Sequence, residues 1–216
     1  MKVTKIEKKS QTRYTVEVDG EYFYILDQEI LENNRIQVGS QVDEALLEDL
    51  KLQAEQRKAR ERAYHLLSYR DHSSVELYRK LCTSISPEIA AQTVSKMQEL
   101  GLLNDEQYAL RLAEYGLNTK LWSQRKCLFE MQKKGISKQM AEEALAQCQV
   151  EPYDQIFALL EQKYWRKLDG DPKNDRRVTD ALVRMGYSYG EIRRALEDYK
   201  TENGIEKDEE DQWQYE

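Results

Sequence analysis

Around Asp19-Gly20 the chain reads RYTVEVDGEYFYILD, two runs of β-branched and aromatic residues meeting at a turn pair. Asp-Gly tolerates the positive φ values of a tight hairpin turn, so a hairpin is expected here. A two-residue turn pairs Val16 with Phe23 and Tyr14 with Ile25 and puts those four on one face. The stretch Tyr22–Leu26 is apolar on both faces and needs cover on both. Lys2–Glu7, carrying Val3 and Ile6, fits beside the hairpin as a third strand, Gln28–Asn33 fits a short helix, and Gly39-Ser40 closes the module.

From Asp43 the period changes. Asp43 to Tyr69 holds neither Gly nor Pro, and its middle, QAEQRKARER, is rich in strong helix formers. A single helix of about 26 residues is expected, roughly 39 Å long. Beyond it the pattern repeats. Ser86, Ser137 and Ser188 are 51 residues apart, and each follows an apolar residue: Ile85, Ile136, Tyr187. Serine is a favoured N-cap because its hydroxyl accepts from an orphan backbone N–H. The helices these serines open carry matching apolar columns: Val94, Leu145, Leu196; Met97, Cys148, Tyr199; Thr93, Ala144, Ala195. A second helix precedes each: one from the box Ser73-Ser74-Val75-Glu76, one over Ser123–Lys134 ending at Gly135, and one over Asp175–Met185 ending at Gly186. A third precedes that pair: up to Tyr69, then Asp105–Thr119, then Asp154–Lys167. The fold class expected is mainly α, three tandem three-helix repeats in an extended curved array behind a small N-terminal β-sheet module. The divisions are 1–42 for the β module, 43–104, 105–151 and 152–202 for the repeats, and 203–216 for an acidic disordered tail.

Composition sharpens this. Hydrophobic residues are 40% and charged residues 34%, which suits a helix-rich shape with much surface and a thin core. No run approaches the ~20 apolar residues of a membrane span, and MKVTKIEKKS lacks the apolar stretch of a signal peptide. Cys82, Cys127 and Cys148 are widely spaced, so neither a disulfide framework nor a zinc site is indicated, and a reducing cytoplasm is expected. The net charge of −7 resides entirely in the stretch from Glu197 onward, and residues 1–196 are neutral. Residues 110–140 hold seven Lys or Arg against two Glu, so a basic face is expected on an acidic chain.

Catalytic signals are weak. His65 and His72 are the only histidines, and His72 precedes a helix cap, where a capping or surface role is expected. No phosphate-binding, nucleophile-elbow or zinc-protease motif occurs. A metal nuclease built on Asp71 and Glu76 competes poorly with their use as cap residues. The expectation is no enzyme, no cofactor and no metal. The basic residues carry more. Arg70, Arg79, Lys80, Arg125, Lys126, Lys133, Lys134, Arg176, Arg177 and Arg184 lie on or beside the second helices, and stacked repeats would line them up. Trp122 beside them is a candidate anchor. Tyr64, Tyr69, Tyr78, Tyr108, Tyr115 and Phe129 fall at helical spacing and are expected mostly in the core. Solvated charge is the plainer reading of any one of these cations; as a set they fit an anionic partner.

Arg70-Asp71-His72-Ser73 with Glu76-Leu77-Tyr78-Arg79-Lys80-Leu81 resembles the R-x-H-S-x-x-E-L-x-x-K-L of the RecX family. So does Gly101-Leu102-Leu103-Asn104-Asp105-Glu106-Gln107-Tyr108-Ala109, as do Glu130 with Lys134-Gly135-Ile136, and Met185-Gly186-Tyr187-Ser188 in part. The likeness runs from about Ala59 to Tyr199. Ser123 stands where the family usually has Gly, Cys127 where Ile is common, and Met131 where Leu is usual. The resemblance implies a non-enzymatic regulator that lies in the groove of the RecA–DNA filament, bridges protomers, and dampens ATP hydrolysis, strand exchange and co-protease activity. It implies the RecA filament as partner, weak direct DNA binding, no membrane and a monomer. A helical module acting on DNA without RecA is the alternative.

Overall fold

The computed structural model describes residues 1–205; the acidic tail expected from 203 onward falls mostly outside the described residues. The chain forms two compact units, Met1–Leu103 and the part from Asn104 onward. It is mainly helical, with three-helix groups in tandem and a small N-terminal sheet.

In the first unit, strands β1 (Val3–Lys8), β2 (Arg13–Val18) and β3 (Glu21–Asp27) form an antiparallel meander in that order. The turn lies at Asp19-Gly20, both at positive φ. The pairing differs from the simple hairpin expectation. Val18 faces Glu21 and Glu17 faces Tyr22, but Val16 then faces Tyr24 and Tyr14 faces Leu26, because a bulge inserts Phe23. The extra residue turns Leu26 to the face of Val3, Val16 and Val18, where all four are buried. Helix α1 (Gln28–Asn33) adds Ile30 and Leu31 to that core. The chain then returns along β1, with Gly39 N–H donating to the Val3 carbonyl (2.8 Å) and Val3 N–H to Ser40 (2.9 Å).

Helix α2 (Glu44–Tyr69) starts where Asp43 accepts from Leu46 N–H (2.8 Å) and runs 26 residues. It serves two cores. Leu50 and Ala54 close the sheet's core, while Ala59 and Ala63 enter the next, with α3 (Ser74–Leu81) and α4 (Pro87–Glu99). Ser73 and Glu76 form a reciprocal capping box, and Ser86 caps α4. Leu77, Leu81 and Met97 are fully buried, each contributing about 1.5–3 kcal/mol by burial.

The second unit holds α5 (Asp105–Glu114), α6 (Gln124–Lys133), α7 (Lys138–Ala146), α8 (Pro152–Leu159), α9 (Pro172–Arg184) and α10 (Tyr189–Glu202). Ser137 and Ser188 cap α7 and α10 as expected. Helix α9 begins earlier than the expected Asp175, at Pro172, because Asp171 supplies the cap and proline suits the first helical turn. Likewise α8 starts at Pro152. Helices α5 and α8 each end in a π-helical turn, Tyr115–Thr119 and Leu160–Tyr164, where unbroken α-helix was expected.

The first of these turns borders a seam between the two groups. Leu117 is among the last four residues of its helix, whose carbonyls have no intrahelical donor. The buried Gln155 amide on α8 donates to it (2.7 Å), and the Gln155 carbonyl oxygen accepts from Tyr187 O–H (3.2 Å). Tyr187 also reaches the Leu121 carbonyl (3.0 Å), and Ser123 N–H donates to the Met185 carbonyl (3.0 Å). Gly186, at φ +93°, packs where an added Cβ would stand 2.3 Å from Ser123 Oγ.

Candidate functional site

Helix α6 presents the most concentrated basic surface of the second unit. Ser123 Oγ accepts from Lys126 N–H (3.2 Å), and Cys127 with Met131 turns inward, buried four residues apart on one stripe. Arg125, Phe129 and Lys133 share another face at the same spacing, and all three are exposed. Phe129 is two positions from the core stripe, some 200° round the helix, so it cannot join the core. It is 53% exposed, which corrects its expected core placement.

The lysines lie over aromatic rings. Lys126 Nζ is 5.5 Å from the Phe129 centroid and 5.9 Å from that of Trp122; Lys133 Nζ is 5.2 Å from Phe129. Lys134 sits 6.0 Å from Tyr108, and Lys120 5.3 Å from Tyr115. Such contacts hold a cation near an apolar surface without neutralising it. Glu130 bonds Lys126 (2.9 Å) and lies 3.6 Å from Lys133. The Lys126 hydrogen bond, with the charge of both lysines, holds its carboxyl below the usual range. Arg125 has no carboxylate within ion-pair distance among the described residues. Trp122 is not an exposed anchor: it is half-buried against the core of Cys127 and Leu117. The exposed ring of this face is Phe129.

The remaining cations divide. Arg184 is exposed at the end of α9, and the carbonyl of the next residue, Met185, accepts from the Ser123 N–H before α6. Arg176 and Arg177 are exposed toward the start of α9, and Arg177 donates to Asn174 (3.2 Å). In the first unit Arg70 pairs with Glu76 (3.1 Å) and donates to the Asp71 carbonyl (2.7 Å). Arg79 and Lys80 are exposed in the last turn of α3. Lys80 lines a cleft of about 410 Å³ with Arg62, His65, Tyr69 and His72. Arg62, His65 and Tyr69 were missed in sequence, although their i, i+3, i+7 spacing marks one helix face. His72 has no surface role: it is buried, with Nδ1 2.9 Å from the Arg70 carbonyl, and burial holds its ring below the usual range. Tyr64, Tyr69 and Tyr115 are exposed, against expectation, and Tyr108 is buried.

Among the described residues, no three His, Cys, Asp or Glu side chains cluster as a metal site, and no helix is long and apolar enough to cross a membrane. Glu76, half of the nuclease idea, is taken up by its cap and by Arg70.

Two consecutive domain models of one family match this chain: the first RecX three-helix domain over residues 59–97, and the second over 104–145. Over these residues the chain matches two successive domains of RecX. The first match covers the end of α2 with α3 and α4, the second α5 to α7. Among relatives named regulatory protein RecX, that of Caldanaerobacter subterraneus subsp. tengcongensis is 28% identical over 192 residues, covering 88% of this chain and 93% of its own length. That of Streptococcus sanguinis is 28% identical over 215 residues, covering 98% and 81%. A crystal structure titled as regulatory protein RecX matches with a TM-score of 0.64 at 23% identity, over 91% of this chain and 98% of that one. Another, of RecX from Lactobacillus salivarius, gives 0.58 at 23% identity over 68% and 97%. These two support the fold.

Proposed function

We propose that this protein is a non-enzymatic, cytoplasmic regulator of recombination that acts as a monomer by binding the RecA–DNA filament and lowering its ATPase, strand-exchange and co-protease activities. The RecX kinship supports the partner. The observation that carries the reading is the α6 face, where Lys126 and Lys133 flank the exposed Phe129 ring. An aromatic ringed by cations suits an acidic protein groove or a phosphate backbone, and neither use needs catalysis.

The test is the DNA-dependent ATPase of RecA titrated with purified protein. A fall in turnover is expected, and no change at saturation would sink the proposal. Reversing Arg125, Lys126, Lys133 and Lys134 to Glu should weaken the effect with the circular dichroism unchanged. Unaltered inhibition by that variant would remove α6 from the site. The same exposed ring favours a second reading, direct binding to single-stranded DNA. That reading requires affinity for free DNA falling steeply with salt; strong binding to RecA-coated DNA with weak binding to free DNA decides against it.

A further inference from the structure

The cleft between the end of α2 and α3 is not accounted for by that reading. Arg62, His65 and Tyr69 form one wall, and Lys80 with the buried His72 forms the other. Its volume of about 410 Å³ is within the roughly 300–1,000 Å³ of ligand pockets. Arg62 and Lys80 are exposed, and neither has a carboxylate within ion-pair distance among the described residues. The His65 and Tyr69 rings pack edge to face, 5.0 Å apart, which fixes that wall.

His72 is the second, independent observation. It is only 3% exposed. A carbonyl can only accept, so the 2.9 Å contact with Arg70 puts a proton on Nδ1. Nε2 is then a bare acceptor, and it is buried with no hydrogen-bond partner among the described residues. Native structures seldom leave such an atom unpaired without a reason. The charges facing the ring are Arg70 and Lys80, opposed by Glu76, with Arg62 and His65 across the cleft and Asp71 adjacent in sequence. Arg70 is held by Glu76. Burial is the main cause that keeps the imidazole neutral, and the positive charge of Arg70 and Lys80 adds to it.

We propose that this cleft is a phosphoryl-oxyanion site, read by Arg62 and Lys80 and completed by His72. An entering oxyanion supplies the negative charge the cleft lacks. His72 then takes a proton from solvent on Nε2 and donates it in a hydrogen bond to the anion, so both ring nitrogens are satisfied. Binding and proton uptake are linked, and affinity rises as pH falls. The phosphoryl group can come from a polynucleotide or from a free anion. The site stands or falls independently of RecA.

The test follows the ring nitrogens of His72 by NMR in the full chain, at constant ionic strength. One probe is sulfate, a tetrahedral dianion that does not itself titrate near neutrality; the other is a short oligothymidylate. Sulfate should raise the His72 titration midpoint by about one unit or more, equivalent to about tenfold tighter binding by the protonated ring. Arg62→Gln and Lys80→Gln, both at exposed positions, should each weaken sulfate binding by about tenfold. If the oligonucleotide produces the same shift and displaces sulfate, the phosphodiester is a source. If sulfate alone acts, the site is for free anions. A His72 midpoint indifferent to both probes, or binding unchanged in both variants, overturns the proposal.

Discussion

Replacing Gly186 by alanine tests how the two three-helix groups of the second unit are joined. Gly186 has φ +93°, and an added Cβ would stand 2.3 Å from Ser123 Oγ, 2.9 Å from Lys126 Cβ and 3.1 Å from Lys126 N. The left-handed backbone alone costs an alanine about 1–2 kcal/mol. Ser123 Oγ cannot retreat without giving up the α6 cap, worth about 1 kcal/mol. Pushing the Lys126 backbone adds an overpacking cost of about 1–3 kcal/mol. The expected loss is therefore about 3 kcal/mol or more. Gly204→Ala is the control: its φ is +64° but nothing among the described residues lies within 4 Å, so it should cost only the backbone part. Urea unfolding followed by fluorescence, with Trp213 replaced by Phe so that Trp122 and Trp165 report, measures both. In a Ser123→Gly background the Oγ clash disappears, and the Gly186→Ala cost should shrink measurably in a double-mutant cycle. Equal losses at Gly186 and Gly204, or no coupling to Ser123, would refute the seam argument.

Three further outcomes follow from buried groups. Tyr187→Phe removes the donor shared between Leu121 and Gln155 and should cost about 1–3 kcal/mol in the same assay, since the Gln155 acceptor stays buried. Burial pushes the Cys127 thiol up to about 12, so in the native protein it should react last with a thiol reagent at pH 8, and quickly only once the chain is unfolded. Asp27 is raised by burial, an effect the nearby Arg57 (3.5 Å) and Arg13 (3.7 Å) do not offset. A raised folded carboxyl gives stability that is full below the unfolded pKa of about 3.9 and is lost as pH rises through the folded value. Wild type should therefore gain on Asp27→Asn as pH is lowered from neutrality toward about 4, and urea midpoints showing the opposite trend would contradict the burial argument.

Helix ends were the most legible part of this fold because their causes are local. Asp43, Ser73, Ser86, Ser137 and Ser188 each cap with their own side chain, and the three-residue reach of that bond is visible in sequence. The bulge at Phe23 was not visible, because a strand apolar on both faces does not say which face the core will take. Only the burial of Leu26 with Val3, Val16 and Val18 decides that register. The π-helical turns were invisible for a related reason. The Leu117 carbonyl in one of them accepts from Gln155, 38 residues away, and neither residue signals the other.

The candidate site was legible by residue type and obscure by geometry. Arg125, Lys126, Lys133 and Lys134 stand out in any count of charge, but a count treats them as equivalent. In the folded unit Glu130 ties Lys126 and Lys133 into one ion-pair group, Lys134 is half-buried over Tyr108, and Arg125 keeps its full charge in solvent. Among their aromatic neighbours Tyr108 is buried as expected, while Phe129 and Trp122 are not where expected, since helical spacing alone cannot separate an inward ring from an outward one. What separates them is the phase set by the deepest residues. Once Cys127 and Met131 are fixed as the inward stripe, Phe129 must face out and Trp122 must lie along the edge of the core. On α6 the outward Phe129 ring lies between Lys126 and Lys133, whose ammonium groups stand 5.5 and 5.2 Å from its centroid. Under the proposed function, that arrangement would let charge and ring meet a partner as one surface rather than as separate solvated groups.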